Sequence, residues 1–309
     1  MDGFEARELR YFVTVAEELN FSRAAERLGM AQPPLSRAIR QMERRLGADL
    51  FHRDTRHVAL TDLGRTMLDE ARFALDVLTA VTRRARRAAH STPTLVVTAK
   101  PGIATGMLRR VVDAYAASPG AARVEITVGG YREQADMVRD GRADVALLGS
   151  YFDARGLDVE PLTTERRVAA LPAGHPLTRR GELRCRDLRG EPVPQWPRST
   201  PAERAYWSGR DRDMARPPSG APDAGADVSG PAVSDPGQLI EVVALGQAVA
   251  LIPESVADGN PRADVVYRPV TDATPYTIAV AWSEHSRAHH VARFVTTATS
   301  LYLARNVAS

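Results

Sequence analysis

The sequence predicts an α+β multidomain chain: a small helical N-terminal domain, one long helix, and a larger α/β domain. Three observations carry that expectation. Residues 5–60 are dense in apolar positions at helical spacing, with short polar breaks. Residues 61–91 read as a single helical stretch with one early glycine, Gly64. From Thr94 onward, short β-branched runs alternate with amphipathic stretches, and Gly and Pro punctuate them, which is the pattern of βαβ units. The 309 residues leave room for two or three domains and a sizeable core.

In the first region Leu9, Phe12, Val13 and Ala16 share one helix face. The pattern breaks at Glu18-Leu19-Asn20, and Ser22 can cap a second helix over Arg23 to Leu28. Gly29 supplies the permissive backbone that ends it. Gln32-Pro33-Pro34 then opens a third helix, because proline in the first turn loses an N–H that has no partner there. Leu35, Ile39, Met42 and Leu46 give this helix an inward face, and Pro33, Ser36, Arg37, Arg40 and Arg44 an outward one. Two short helices joined by a glycine-bearing turn describe a helix-turn-helix. Leu50 to Arg53, the basic turn Thr55-Arg56-His57, and Val58 to Thr61 follow as a small β-hairpin wing.

The charge distribution agrees with a polyanion partner for this end. Residues 1–92 hold 16 arginines against 13 acidic residues, whereas the rest holds 25 basic and 25 acidic groups, so the net +3 lies in the first third. Three charges are also within chance variation, and the outward face alone is compatible with a merely solvated bundle. Of 41 basic residues Lys100 is the only lysine, an imbalance that codon bias toward G and C explains.

The stretch LRYFVTVAEELNFSRAAERLGMAQPPLSRAIRQMERRLGADLFHR, followed by ALTDLGRTML, resembles the DNA-binding domain of LysR-type transcriptional regulators almost without gaps from Leu9 to Leu68. The resemblance implies a winged helix-turn-helix over residues 1–63. It places Gln32, Pro33, Ser36, Arg37 and Arg40 at the DNA groove, Ser22 and Arg23 beside them, and Arg53 and Arg56 at the backbone. Arginine can bond guanine edges bidentately, and Ser or Gln can bond bases or phosphates. This chain has Ala31 where the family usually has serine before the QPP entry, so Gln32 is left to make the contact expected there.

Leu68, Ala71, Leu75, Leu78, Thr82, Ala85 and Ala89 form an a/d seam within a linker helix over residues 64–92. A solitary helix has no use for so narrow a stripe, so Leu68, Ala71, Leu75 and Leu78 are expected to mediate dimerisation, as the resemblance also implies. The alternative is packing against the chain's own C-terminal domain. The cluster Arg83-Arg84-Ala85-Arg86-Arg87 reads as a solvated face.

Residues 93–309 read as strand 95–98, helix 105–117, strand 124–128, helix 133–140 and strand 144–148. Strand-like runs at 167–171 and 191–196, helix 238–245, strands 248–252 and 276–282, and helix 287–303 follow, with 208–236 as an irregular loop. The resemblance implies an α/β periplasmic-binding-protein-like effector domain of two Rossmann-like subdomains, about 93–165 with 272–309 and about 166–271. Ligands in such sheets sit beyond the carboxyl ends of the strands. That nominates Lys100, Pro101, Gly102, Tyr131, Trp196 and Arg198, with Pro253 and Glu254 within reach. Lys100 beside helix N–H groups suits an organic anion. The alternatives are a solvated loop lysine, and core or rim roles for the two aromatics.

No run approaches a membrane span, and the N-terminus lacks the pattern of a secretion signal, so a cytoplasmic protein without a membrane partner is expected. Cys185 stands alone, which excludes an internal disulfide and a multi-cysteine zinc site. No nucleophile elbow, phosphate loop or HExxH motif points to an enzyme, and no metal or cofactor is expected besides a small-molecule effector. The partners the resemblance implies are promoter DNA, a second or further copies of the chain as homodimer or homotetramer, and RNA polymerase. An architectural DNA binder that answers to no ligand is the other class, although it would not need an α/β domain of this size.

Overall fold

The computed structural model describes residues 3–53, 57–89, 93–100, 102, 104–197, 199–211 and 228–306. Contacts divide the chain into two units, Met1–Ser91 with Arg139–Arg142, and Thr92–Val138 with Ala143–Ser309.

The first unit runs α1 (Ala6–Glu18), α2 (Phe21–Arg27), α3 (Gln32–Leu46), β1 (Phe51–Arg53), β2 (Val58–Leu60) and α4 (Asp62–Ala88). Leu9, Phe12, Val15, Leu35, Ile39, Met42 and Leu50 meet in one buried cluster, as the helical spacing requires. Leu46 departs from that face: at the last turn of α3 it is 39% exposed. Asn20, rather than Ser22, caps α2, and its Oδ1 accepts the N–H groups of Ser22 and Arg23, each at 3.0 Å. β1 and β2 pair antiparallel as the expected wing. Gly64 is a packing requirement, because a Cβ there would lie 2.1 Å from the Leu50 carbonyl oxygen.

The seam of α4 divides. Leu68, Ala71 and Leu75 pack onto the core of the helix-turn-helix, with Ala71 fully buried. Leu78 is 46% and Val81 61% exposed. The early seam residues therefore serve their own domain, which the spacing did not distinguish from pairing with a second chain.

The second unit runs β3 (Thr94–Ala99), α5 (Thr105–Ala116), β4 (Arg123–Thr127), α6 (Glu133–Arg139), β5 (Val145–Gly149), β6 (Leu157–Glu165), β7 (Arg167–Pro172) and β8 (Pro192–Gln195). It continues with α7 (Pro201–Trp207), β9 (Val228–Ala232), α8 (Pro236–Ala244), β10 (Ala250–Pro253), α9 (Glu254–Asp258), β11 (Val265–Pro269), β12 (Tyr276–Ser283) and α10 (His289–Asn306). One five-stranded sheet has the order β4-β3-β5-β12-β6 and a second has the order β10-β7-β11. In the first sheet β3 lies parallel to both β4 and β5, so their connections diverge from its carboxyl end and open a crevice there. β8 and β9 pair in parallel.

The chain passes between the two large sheets at Arg166 and again between Pro269 and Tyr276. Arg167 braces both passages. Its buried guanidinium donates to the carbonyls of Thr274 and Tyr206, each at 2.6 Å. It also lies 3.7 Å from the Tyr206 ring centroid, and the Tyr206 hydroxyl donates to the Pro275 carbonyl.

The structure adds β6, α7, β9, α9 and β11 to the elements expected from sequence. β6 is an edge strand with Pro161 inside it and a register shift opposite Ile278 and Ala279, which erases the two-residue alternation. The segment 208–236 is not irregular throughout, since Val228–Ala232 pairs with β8. Residues 212–227 of that segment lie outside the described residues. No helix among the described residues is long and apolar enough to cross a membrane.

Candidate functional site

Two sites emerge, one in each unit. In the first, α3 begins at Ala31, whose side chain offers no cap. None is badly needed, because Pro33 and Pro34 remove two of the four N–H groups that a helix start leaves without partners. Gln32, Pro33, Arg37 and Arg40 are exposed along α3, as expected. Ser36 is not: it is buried, and its hydroxyl accepts from the Arg40 guanidinium at 3.0 Å. It positions Arg40 rather than presenting itself. Ser22 and Arg23 are exposed on α2, and Arg23 pairs with Glu18 at 3.3 Å.

Arg53 is shared with the interior. It meets the buried Glu43 carboxylate at 2.5 Å and lies 4.9 Å from the Phe21 ring centroid. The other Glu43 oxygen accepts the N–H groups of Leu50 and Phe51, so one carboxylate on the third helix holds the start of the wing. Arg56 lies outside the described residues.

In the second unit Lys100 follows β3 at the carboxyl edge of the five-stranded sheet, and it is buried rather than solvated. Its ammonium lies 5.1, 5.5 and 5.6 Å from the ring centroids of Tyr131, Trp207 and Tyr276. It donates to the Tyr276 hydroxyl at 3.3 Å. That approach requires Gly149, where a Cβ would overlap the Tyr276 hydroxyl. Burial pushes the Lys100 pKa down to about 8, with Glu203 opposing the shift and Arg132 adding to it.

Glu203 is the hub of the wall. It is buried and accepts from the Tyr131 hydroxyl at 3.3 Å and the Trp207 indole at 3.4 Å, while Arg132 pairs with it at 2.6 Å. Arg132 holds a left-handed backbone, φ 67°, at the turn that delivers it and Tyr131 to the same carboxylate. Tyr131 and Trp196 stack on each other at 4.0 Å and 9°, so they form one wall and leave no slot for a ring between them. A cavity of about 30 Å³ lies between this wall, Lys100 and the apolar side chains of Leu239, Ile252, Pro253 and Val256. Glu254 turns to Arg166, 3.1 Å away. Gly102 takes φ 75°, a turn that suits glycine, whereas Pro101 and Arg198 lie outside the described residues.

Sequence reasoning passed over Glu203, Trp207, Tyr276 and Arg132. For α7 a signal existed: Thr200-Pro201-Ala202-Glu203 is a helix start, and Thr200 does accept the Glu203 N–H. For Tyr276, 176 residues from Lys100, no local signal exists. Burial and the carboxylate of Asp272 push the Cys185 thiol up to about 12, so it holds its proton at neutral pH. No His, Cys, Asp and Glu cluster among the described residues is arranged for a metal.

The family model described as the LysR substrate binding domain matches residues 88–301. The model described as a bacterial regulatory helix-turn-helix protein of the lysR family matches residues 6–65. The chain belongs to the LysR family. Among its LysR relatives, the HTH-type transcriptional regulator AlsR of Bacillus subtilis is 36% identical over 191 residues, 61% of this chain and 63% of that protein. The Hca operon transcriptional activator HcaR of Escherichia coli is 34% identical over 186 residues, 60% and 63% of the two chains. The match thus spans less than two thirds of the length of these curated relatives. Among solved LysR structures, CbnR superposes with a TM-score of 0.56 at 23% identity, over 97% of this chain and 99% of that one. Full-length BenM, a regulator of Acinetobacter baylyi, gives a TM-score of 0.55 at 24% identity, over 98% and 97%. These two share the fold.

Proposed function

We propose that this LysR-family chain is a transcription regulator that binds promoter DNA sequence-specifically and answers to a small-molecule effector, an organic anion, in the C-terminal domain. The observation that carries the reading is the outward row on α3. Gln32, Pro33, Arg37 and Arg40 are exposed on a helix whose opposite face is the domain core. A helix so built fits the major groove, where a bidentate arginine distinguishes guanine. Arg37 and Arg40 read bases, and Gln32 contacts the phosphate or base beside the helix start. Arg23 and the wing around Arg53 and Arg56 follow the backbone, with Arg53 also bracing the wing.

Two copies pair through the open part of the α4 seam around Leu78, as a homodimer or within a homotetramer. The domain plan is residues 1–63 for DNA, 64–92 for pairing and 93–309 for the effector, in subdomains 93–165 with 272–309 and 166–271. The effector biases the two subdomains between arrangements, which alters the grip of the paired DNA domains and their dealings with RNA polymerase. The output is occupancy of DNA in the cytoplasm rather than turnover of a substrate. The test is selection of duplexes from a random pool by the full chain. Enrichment of one motif with two half-sites supports the reading, and recovery of unrelated duplexes in proportion to their length overturns it.

A further inference from the structure

The chain carries one lysine, and it is the residue buried against the cavity. Wherever else this protein needs a cation, arginine serves. At residue 100 a guanidinium would supply the charge but could not lose its proton or attack a carbon. The place is built for an amine: three aromatic rings surround the nitrogen, Tyr276 accepts one of its protons, and none of the described carboxylates forms an ion pair with it.

The surrounding charges are Glu203, which Arg132 neutralises at 2.6 Å, and Lys100 itself, so the wall carries one positive charge in excess when Lys100 is protonated. The facing side chains from α8, β10 and α9, namely Leu239, Ile252, Pro253 and Val256, are apolar and supply no counter-charge. A ligand that brings one negative charge and an electrophilic carbon satisfies both features. We propose that Lys100 captures a short-chain 2-oxo carboxylic acid as a reversible imine. This rests on the reading of the cavity as the effector site and specifies the ligand class for it.

The step balances without an external oxidant or reductant. The lone pair of neutral Nζ forms a bond to the carbonyl carbon while the C=O π pair moves to oxygen. The ammonium proton passes to that oxygen through the Tyr276 hydroxyl, giving a carbinolamine. Loss of its hydroxyl with a proton releases one water and leaves a protonated C=N bond. The iminium keeps the cation within the aromatic cage, and the carboxylate offsets the excess charge. With Lys100 near 8, about a tenth of it is the neutral nucleophile at pH 7. The cavity of about 30 Å³ selects the smallest members of the class, and its apolar wall from α8 and α9 must part to admit them.

The experiment uses the full chain with pyruvate or glyoxylate as the probe and sodium cyanoborohydride to trap the imine, read by intact mass and by peptide mapping. The expected result is one reduced adduct at Lys100, formed about a hundredfold faster at pH 7 than on Nα-acetyl-lysine, the scale of the difference in neutral amine. Y276F keeps the lysine and should slow trapping. K100R should leave only the amino terminus to react. Labelling of wild type at the amino terminus alone, or at Lys100 no faster than Nα-acetyl-lysine, overturns the proposal. Lactate, which has the charge but no carbonyl, separates it from the broader reading: equal thermal stabilisation by lactate and pyruvate with no adduct keeps the anion site and removes the imine. A Lys100 adduct on a protein that enriches no duplex keeps the imine and removes the regulator.

Discussion

Glu43 on α3 and Arg53 on β1 meet at 2.5 Å, with the carboxylate buried and its other oxygen accepting the N–H groups of Leu50 and Phe51. One side chain thus sets the wing relative to the helix proposed to read DNA. Glu43→Gln keeps the shape but loses the charge, and turns an acceptor into a donor toward one of its partners. It should destabilise the domain by about 2–4 kcal/mol, the scale for breaking a buried charged contact. Denaturant unfolding checks this. A loss below about 0.5 kcal/mol would show that the wing is held elsewhere.

Arg167→Met should cost about 3–5 kcal/mol, because it strips the carbonyls of Thr274 and Tyr206 of buried donors at both passages between the large sheets. Hydrogen exchange locates the effect. The account predicts faster exchange around 270–276 and α7, and unchanged exchange there contradicts it.

Lys100 makes stability depend on pH in a stated direction. Its folded value of about 8 lies below the ordinary 10.5, so between those pH values the unfolded chain holds more protons and stability rises with pH. Below about pH 8 the full penalty, on the order of 3 kcal/mol, is present. The stability difference between Lys100→Met and wild type should therefore favour the variant at pH 7 and shrink by about that amount toward pH 10.5. A difference independent of pH would mean that the ammonium is solvated.

The α4 seam separates two roles within four positions. Leu78→Arg should weaken self-association, seen by sedimentation, and leave the unfolding midpoint nearly unchanged, since Leu78 is 46% exposed. Ala71→Arg should unfold the N-terminal domain, since Ala71 is buried in that core. Full dimers of Leu78→Arg at micromolar concentration would place the interface elsewhere.

What could be read from the sequence follows from how local each determinant is. Helices α1 to α3 were legible because Leu9, Phe12, Leu35, Ile39 and Met42 mark their faces within single turns. Gly29 and Gly47 take positive φ at the helix ends. The position of Lys100 followed from the rule for strand ends. Its burial did not, because that is made by Tyr276, Trp207 and Tyr131, contributed by β12, α7 and a distant loop. Ser22 and Asn20 compete for the same cap by composition, and only backbone geometry chooses Asn20. Ser36 lies toward the outward side of α3 by spacing, yet its short side chain is covered, with its hydroxyl bonded to Arg40.

The central claim is that the exposed row of α3 reads base sequence. The direct measurement is the affinity of full-length wild type and Arg37→Ala for the selected duplex and a scrambled duplex of equal length, at one fixed salt concentration. The account predicts that wild type prefers the selected duplex and that Arg37→Ala loses ~1–3 kcal/mol of that preference while its affinity for the scrambled duplex falls much less. Equal discrimination by wild type and variant would contradict it.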